Sequence, residues 1–84
     1  MLFKKSDPRY SFIRDKLIKA RKEKGIRQSD LAKELGVRQQ FISKIETAER
    51  GIDFLEMVQI SKALELDINA LISNIRDESI SSTL

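Results

Sequence analysis

Apolar residues recur at spacings of three, four and seven along the chain, while alternating-residue patterns are scarce, so helix is the expected element throughout. Gly25, Gly36 and the polar stretch Thr47-Ala48-Glu49-Arg50-Gly51 cut that pattern into pieces, two of them only about two turns long. Helices so short do not persist alone in water, and each must be held by packing its apolar stripe on the others. A chain of 84 residues supports one core and leaves no room for a catalytic domain beside a regulatory one. The expected fold is all-α, a compact unit of five helices.

Local signals place the five elements. Asp7-Pro8 reads as an N-cap followed by proline at the first helical position, and Ile13, Leu17 and Ala20 mark one face of a helix over about 8–24. The second helix runs from Gln28 to Leu35 with Leu31, Ala32 and Leu35 apolar, and Gly36 stands where a left-handed residue is wanted. The third, about 39–46, buries Ile42 and Ile45 and leaves Gln39, Gln40, Ser43 and Lys44 polar. Asp53-Phe54-Leu55-Glu56 has the arrangement of a capping box, opening a fourth helix over about 54–64 with Leu55, Val58 and Leu64 as expected core positions. Asp67 caps a fifth, whose Ile68, Leu71, Ile72 and Ile75 form one stripe. Residues 1–7 read as an arm, 8–78 as the domain, and 79–84 as a tail expected to fray.

Composition narrows the function. With neither Cys nor His there is no disulfide framework, no thiolate metal site, and neither the usual zinc ligand nor the usual general base. Hence no catalytic or metal-ligating residue is assigned, no cofactor is expected, and the chain reads as a non-enzyme. No apolar run approaches the roughly 20 residues that span a bilayer, and Met1-Leu2-Phe3-Lys4-Lys5 lacks the apolar segment of a signal peptide, so no membrane association and a cytoplasmic location are expected. The net charge of +3 conceals two opposed halves: residues 1–50 hold 14 Lys and Arg against 7 acids, residues 51–84 hold 2 against 6. A basic half beside an acidic one suggests a polyanion-binding face and a separate task for the remainder.

Two short helices joined through a glycine-containing turn, with the small Ala32 inside the first, have the form of a helix-turn-helix. Packing alone implies no function, but the polar face of the second helix does. Gln39 and Gln40 can bond adenine N6 and N7, and Arg38 and Lys44 can bond guanine O6 and N7, so these four are the candidate base readers.

The order of residues from Ile13 to Ile72 resembles the Cro/C1-type (XRE-like) helix-turn-helix family of phage repressors and small bacterial regulators. The resemblance is carried by Ile18 to Gln28 (IKARKEKGIRQ), Leu31-Ala32, Gly36-Val37, Phe41-Ile42-Ser43-Lys44-Ile45-Glu46 and Glu49-Arg50. It implies a lambda-repressor-like fold with Gln39, Gln40 and Lys44 in the major groove of double-stranded DNA. It also implies phosphate contacts from Gln28, which braces the recognition helix, from Ser43 and from Arg50. Arg21 and Glu46 match a family ion pair that ties the first helix to the third and keeps Arg21 near the DNA backbone. Arg27 and Arg38 replace the Thr or Ser usual at the starts of the second and third helices, and Ala48 stands where Gly is frequent. An arginine cannot accept a capping hydrogen bond, a loss of about 1 kcal/mol per helix, so both are expected to point at DNA, with Arg27 on phosphate. Phe41 reads as a half-buried packing residue.

A single short recognition helix discriminates too little against competing genomic sites, which implies a homodimer with recognition helices about 34 Å apart on a palindromic operator. Leu71, Ile72, Ile75 and Ile80 are the candidate dimer surface, the alternative being that Leu71 and Ile75 close the domain's own core. The function expected is transcriptional regulation, with repression the first choice. The competing expectation is an antitoxin-type module that masks a partner protein; a toxin or RNA polymerase are the partners considered.

Overall fold

A computed structural model describes residues 7–76, which form α1 (Pro8–Glu23), α2 (Gln28–Leu35), α3 (Gln39–Glu46), α4 (Phe54–Ala63) and α5 (Ile68–Arg76). There is no strand among the described residues, and none of their helices is long and apolar enough to cross a membrane. The arm before Asp7, residues 77 and 78, the tail at 79–84 and Ile80 lie outside the described residues.

The helix starts follow their capping residues. Asp7 Oδ1 accepts the Arg9 N–H at 2.9 Å, with Pro8 in the first turn, and the Arg9 guanidinium donates to the same carboxylate. That side-chain hydrogen bond is the main reason the Asp7 carboxyl is held down to about 2, and the cap is therefore charged at any ordinary pH. The box at α4 is complete: Asp53 Oδ1 accepts the Glu56 N–H at 2.8 Å and Glu56 Oε1 accepts the Asp53 N–H at 3.0 Å. At α2 only the reverse half exists, Asp30 Oδ2 accepting the Arg27 N–H at 2.9 Å, because a guanidinium has no acceptor to offer. Asp67 Oδ1 accepts from the Asn69 and Ala70 N–H groups at the head of α5.

The ends of α1 to α4 share one device. After α3 the Ala48 N–H bonds the Ile45 carbonyl at 3.2 Å and the Glu49 N–H bonds the Lys44 carbonyl at 2.9 Å, the paired bonds of a Schellman motif. Gly36 makes the same turn after α2 with φ 72°, whereas after α3 the left-handed residue is Ala48 at φ 68°. The loop thus keeps the shape that glycine favours while carrying a Cβ, at a strain of about 1–2 kcal/mol. Ala48→Gly is expected to raise stability by about 0.5–1 kcal/mol, the relief of strain less the added chain entropy, as measured by urea denaturation.

The core gathers one stripe from each helix: Ile13 and Leu17 from α1, Leu31 and Ala32 from α2, Ile42 and Ile45 from α3, Met57, Ile60 and Leu64 at α4, and Leu71 from α5. Ala32, 2% exposed, is small enough for α2 and α3 to approach closely. The α4 stripe differs from expectation. Met57, Ile60, Ser61 and Leu64 face inward at helical spacing, Val58 is half-buried, and Leu55 is 72% exposed beside the similarly exposed Phe54. Leu71, expected at a dimer surface, is 3% exposed and belongs to the domain's own core. Ile72 and Ile75 are half-buried.

Candidate nucleic-acid interface

The seat of α3 is fixed by a polar cluster as well as by Ile42 and Ile45. Glu46, in its last turn, receives Arg21 of α1 through two hydrogen bonds, Nε to Oε2 at 2.7 Å and Nη2 to Oε1 at 3.0 Å. Gln28, in the first turn of α2, donates Nε2 to Glu46 Oε1 at 2.9 Å. Arg21 Nη1 also reaches the Ile26 carbonyl at 2.8 Å, so one buried guanidinium joins α1, the turn before α2 and α3. Arg21 and Glu46 side chains are only 10% and 11% exposed, which makes this a buried bidentate pair and not a surface one. Arg21, also expected on a DNA phosphate, has its Nε and both terminal nitrogens engaged here; its observed position is that of a brace. The Gln28 link to Glu46 was legible only as a general bracing role, and its partner comes from the folded chain.

The outward face of α3 is the opposite case. Arg38, Gln39, Gln40 and Lys44 are all exposed, and none of their side chains has a hydrogen bond or ion pair among the described residues. Ser43 is half-buried on the same helix. Short, rigidly seated and edged with unused donors and acceptors, α3 has the dimensions and chemistry to enter a major groove.

Two candidate DNA-contacting cations beside α3, Arg27 and Arg50, are held. The Arg27 guanidinium lies on Asp30 at 3.2 Å, one turn into α2, and the hydrogen bonds from this arginine pull the Asp30 carboxyl below its usual range. Arg50, in the loop after α3, donates Nη1 to Glu56 Oε1 at 3.0 Å while its guanidinium stacks 4.5 Å from the Phe41 ring centroid. Glu56 Oε1 therefore serves both the α4 cap and Arg50, and Phe41, half-buried against the core, forms the platform. The family resemblance implies a phosphate contact for Arg50, and neither of these two contacts is legible in the sequence. No cluster of His, Cys, Asp or Glu able to hold a metal occurs among the described residues.

A five-helix domain whose second and third helices form this unit, with the second of them presenting a free polar face, has the helix-turn-helix architecture. A helix-turn-helix family model matches residues 17–71. The chain is also similar to a solved structure, the XRE-family like protein from Pseudomonas syringae pv. tomato str. DC3000, with a TM-score of 0.76 and 40% sequence identity over 81% of this chain and 83% of that one. Comparison with curated protein sequences gives no match. The chain belongs to the Cro/C1-type (XRE) helix-turn-helix family of DNA-binding regulators.

Proposed function

We propose that this protein is a cytoplasmic transcriptional regulator, acting as a repressor by occupying a palindromic operator as a homodimer, without covalent chemistry. The observation that carries the reading is the contrast around α3: its buried side is tied down through Glu46, and its exposed Arg38, Gln39, Gln40 and Lys44 have no partner among the described residues. Under this reading those four side chains meet base edges, and Arg27, Gln28, Ser43 and Arg50 meet phosphates. Domain 8–78 is the binding unit, and Ile72 and Ile75 of α5, together with Ile80, make the dimer surface. Sedimentation of Ile75→Glu tests that surface; a dimer that survives the change excludes it.

Gln39→Ala and Gln40→Ala are each expected to weaken binding to a selected duplex by about 1–3 kcal/mol and to leave random-sequence binding nearly unchanged. Equal losses on both duplexes would reassign the two glutamines to nonspecific contact. Affinity for either duplex should fall with salt, with a log–log slope near 0.9 per neutralised phosphate.

Arg38→Ser separates capping from recognition by opposite signs. A serine oxygen can accept an N–H at the head of α3, so stability should rise by about 1 kcal/mol in denaturant titration. Operator affinity should fall in the same protein, since the cation is lost. Unchanged affinity would leave Arg38 as solvated surface.

A second reading, a module that masks a partner protein, rests on one observation: Phe54 and Leu55, side by side at the head of α4, are 62% and 72% exposed. Copurification of a stoichiometric partner from the native host, abolished by Leu55→Glu, would favour it.

A further inference from the structure

Behind α3, between the first half of α1 and the loop that follows α3, lies an open cleft of about 120 Å³. Its floor is apolar, built from Leu17, Ile45 and Ile52, and its rim carries Tyr10, Arg14 and Arg50. Two arginines line it and no acidic residue does. Arg14 is half-buried yet has no hydrogen bond or ion pair among the described residues, and the Tyr10 hydroxyl is likewise unused.

Size and charge together select a class of ligand. An apolar cavity of about 150 Å³ holds a benzene ring, so this volume suits one compact apolar body. The cations at the rim suit one anionic group, and arginine pairs with a carboxylate through two parallel hydrogen bonds. A bare phosphate would leave the apolar floor unfilled. We propose that the cleft binds a small monocarboxylate with a compact apolar body, its carboxylate at Arg14 and Arg50, and that occupancy weakens DNA binding.

The coupling follows from what the walls are. Ile45 belongs to α3, and Ala48, in the strained left-handed turn, lines the cleft where α3 ends. Arg50 is shared already: Glu56 holds one nitrogen and Phe41 its face. A ligand carboxylate draws Arg50 toward the cleft, in competition with Glu56 and with the phosphate assigned to Arg50 above. The sign of the coupling rests on that DNA reading, whereas binding in the cleft does not.

The test is a titration of the full chain with benzoate, followed by backbone amide shifts, with benzamide and inorganic phosphate as controls. Saturable shifts are expected at Leu17, Ile45, Ala48 and Ile52, with benzoate binding about tenfold or more tighter than either control. Arg14→Gln, folded by the same spectra, should weaken benzoate about tenfold or more. Saturating benzoate should lower affinity for a selected duplex about fivefold or more, since coupling free energies are commonly of that size. Absent shifts, equal binding of benzamide or phosphate, or indifference to Arg14→Gln would overturn the site. Tight benzoate binding with duplex affinity unchanged would overturn the effector role. A protein that binds benzoate as described but no duplex at all would contradict the DNA reading and leave the cleft standing.

Discussion

Glu46→Ala is expected to destabilise the domain by about 3–5 kcal/mol, because it leaves the Arg21 guanidinium buried without its counter-charge. The residue is 8% exposed, so water cannot solvate the charge without opening the junction of α1 and α3. Gln28 loses its acceptor in the same substitution, which detaches the head of α2 from the last turn of α3. For a domain this small, each kcal/mol moves the melting temperature by about 4–8 °C, so thermal denaturation should show a fall of more than about 12 °C. A loss below about 1 kcal/mol would place the pair among ordinary exposed ion pairs. The paired replacement Arg21→Met with Glu46→Leu should recover much of the stability, since a buried pair exchanged for apolar side chains is often neutral. Recovery of stability without recovery of duplex affinity would show that the pair serves chiefly to aim α3.

Ile42→Ala should cost about 3 kcal/mol, combining lost burial with the cavity left behind. Ile42 is 2% exposed at the centre of α3, the helix on which α2 packs most extensively. Leu55→Ala, although it removes a side chain of the same size, should change stability by no more than about 0.5 kcal/mol, since Leu55 is 72% exposed. Paired denaturant titrations check the contrast. Similar losses for the two would mean that the α4 stripe includes Leu55 after all.

That contrast marks where the sequence stopped being legible. The stripe of α3 could be read because Ile42 and Ile45 stand among polar neighbours. Helix α4 carries Phe54, Leu55, Met57, Val58 and Ile60 within seven positions, so more than one face is apolar, and the residue completing the inward stripe is the polar Ser61. Its Oγ is buried without a hydrogen-bond partner among the described residues, a burial that periodicity does not anticipate. The ends of α1 and α2 were legible from the glycines that make the left-handed turn, Gly25 and Gly36; α4 also ends where expected, near residue 64, but the Glu65 side chain gives no sign of its φ of 57°. At the interface, the polar face of α3 was visible in residue type and spacing, and the Arg21–Glu46 pairing came only from the family resemblance. The Phe41, Arg50 and Glu56 contacts were not visible, because they join α3, a loop and α4 through space.

The proposed regulator must distinguish one base sequence from another through α3, and enrichment of bound duplexes from a random pool at physiological ionic strength tests this most directly. The expected result is a pair of inverted half-sites with centres about one helical turn apart, whose preferred bases change when Gln39 or Gln40 is replaced by alanine. A pool that stays random in sequence, with retention lost at that salt, would contradict it.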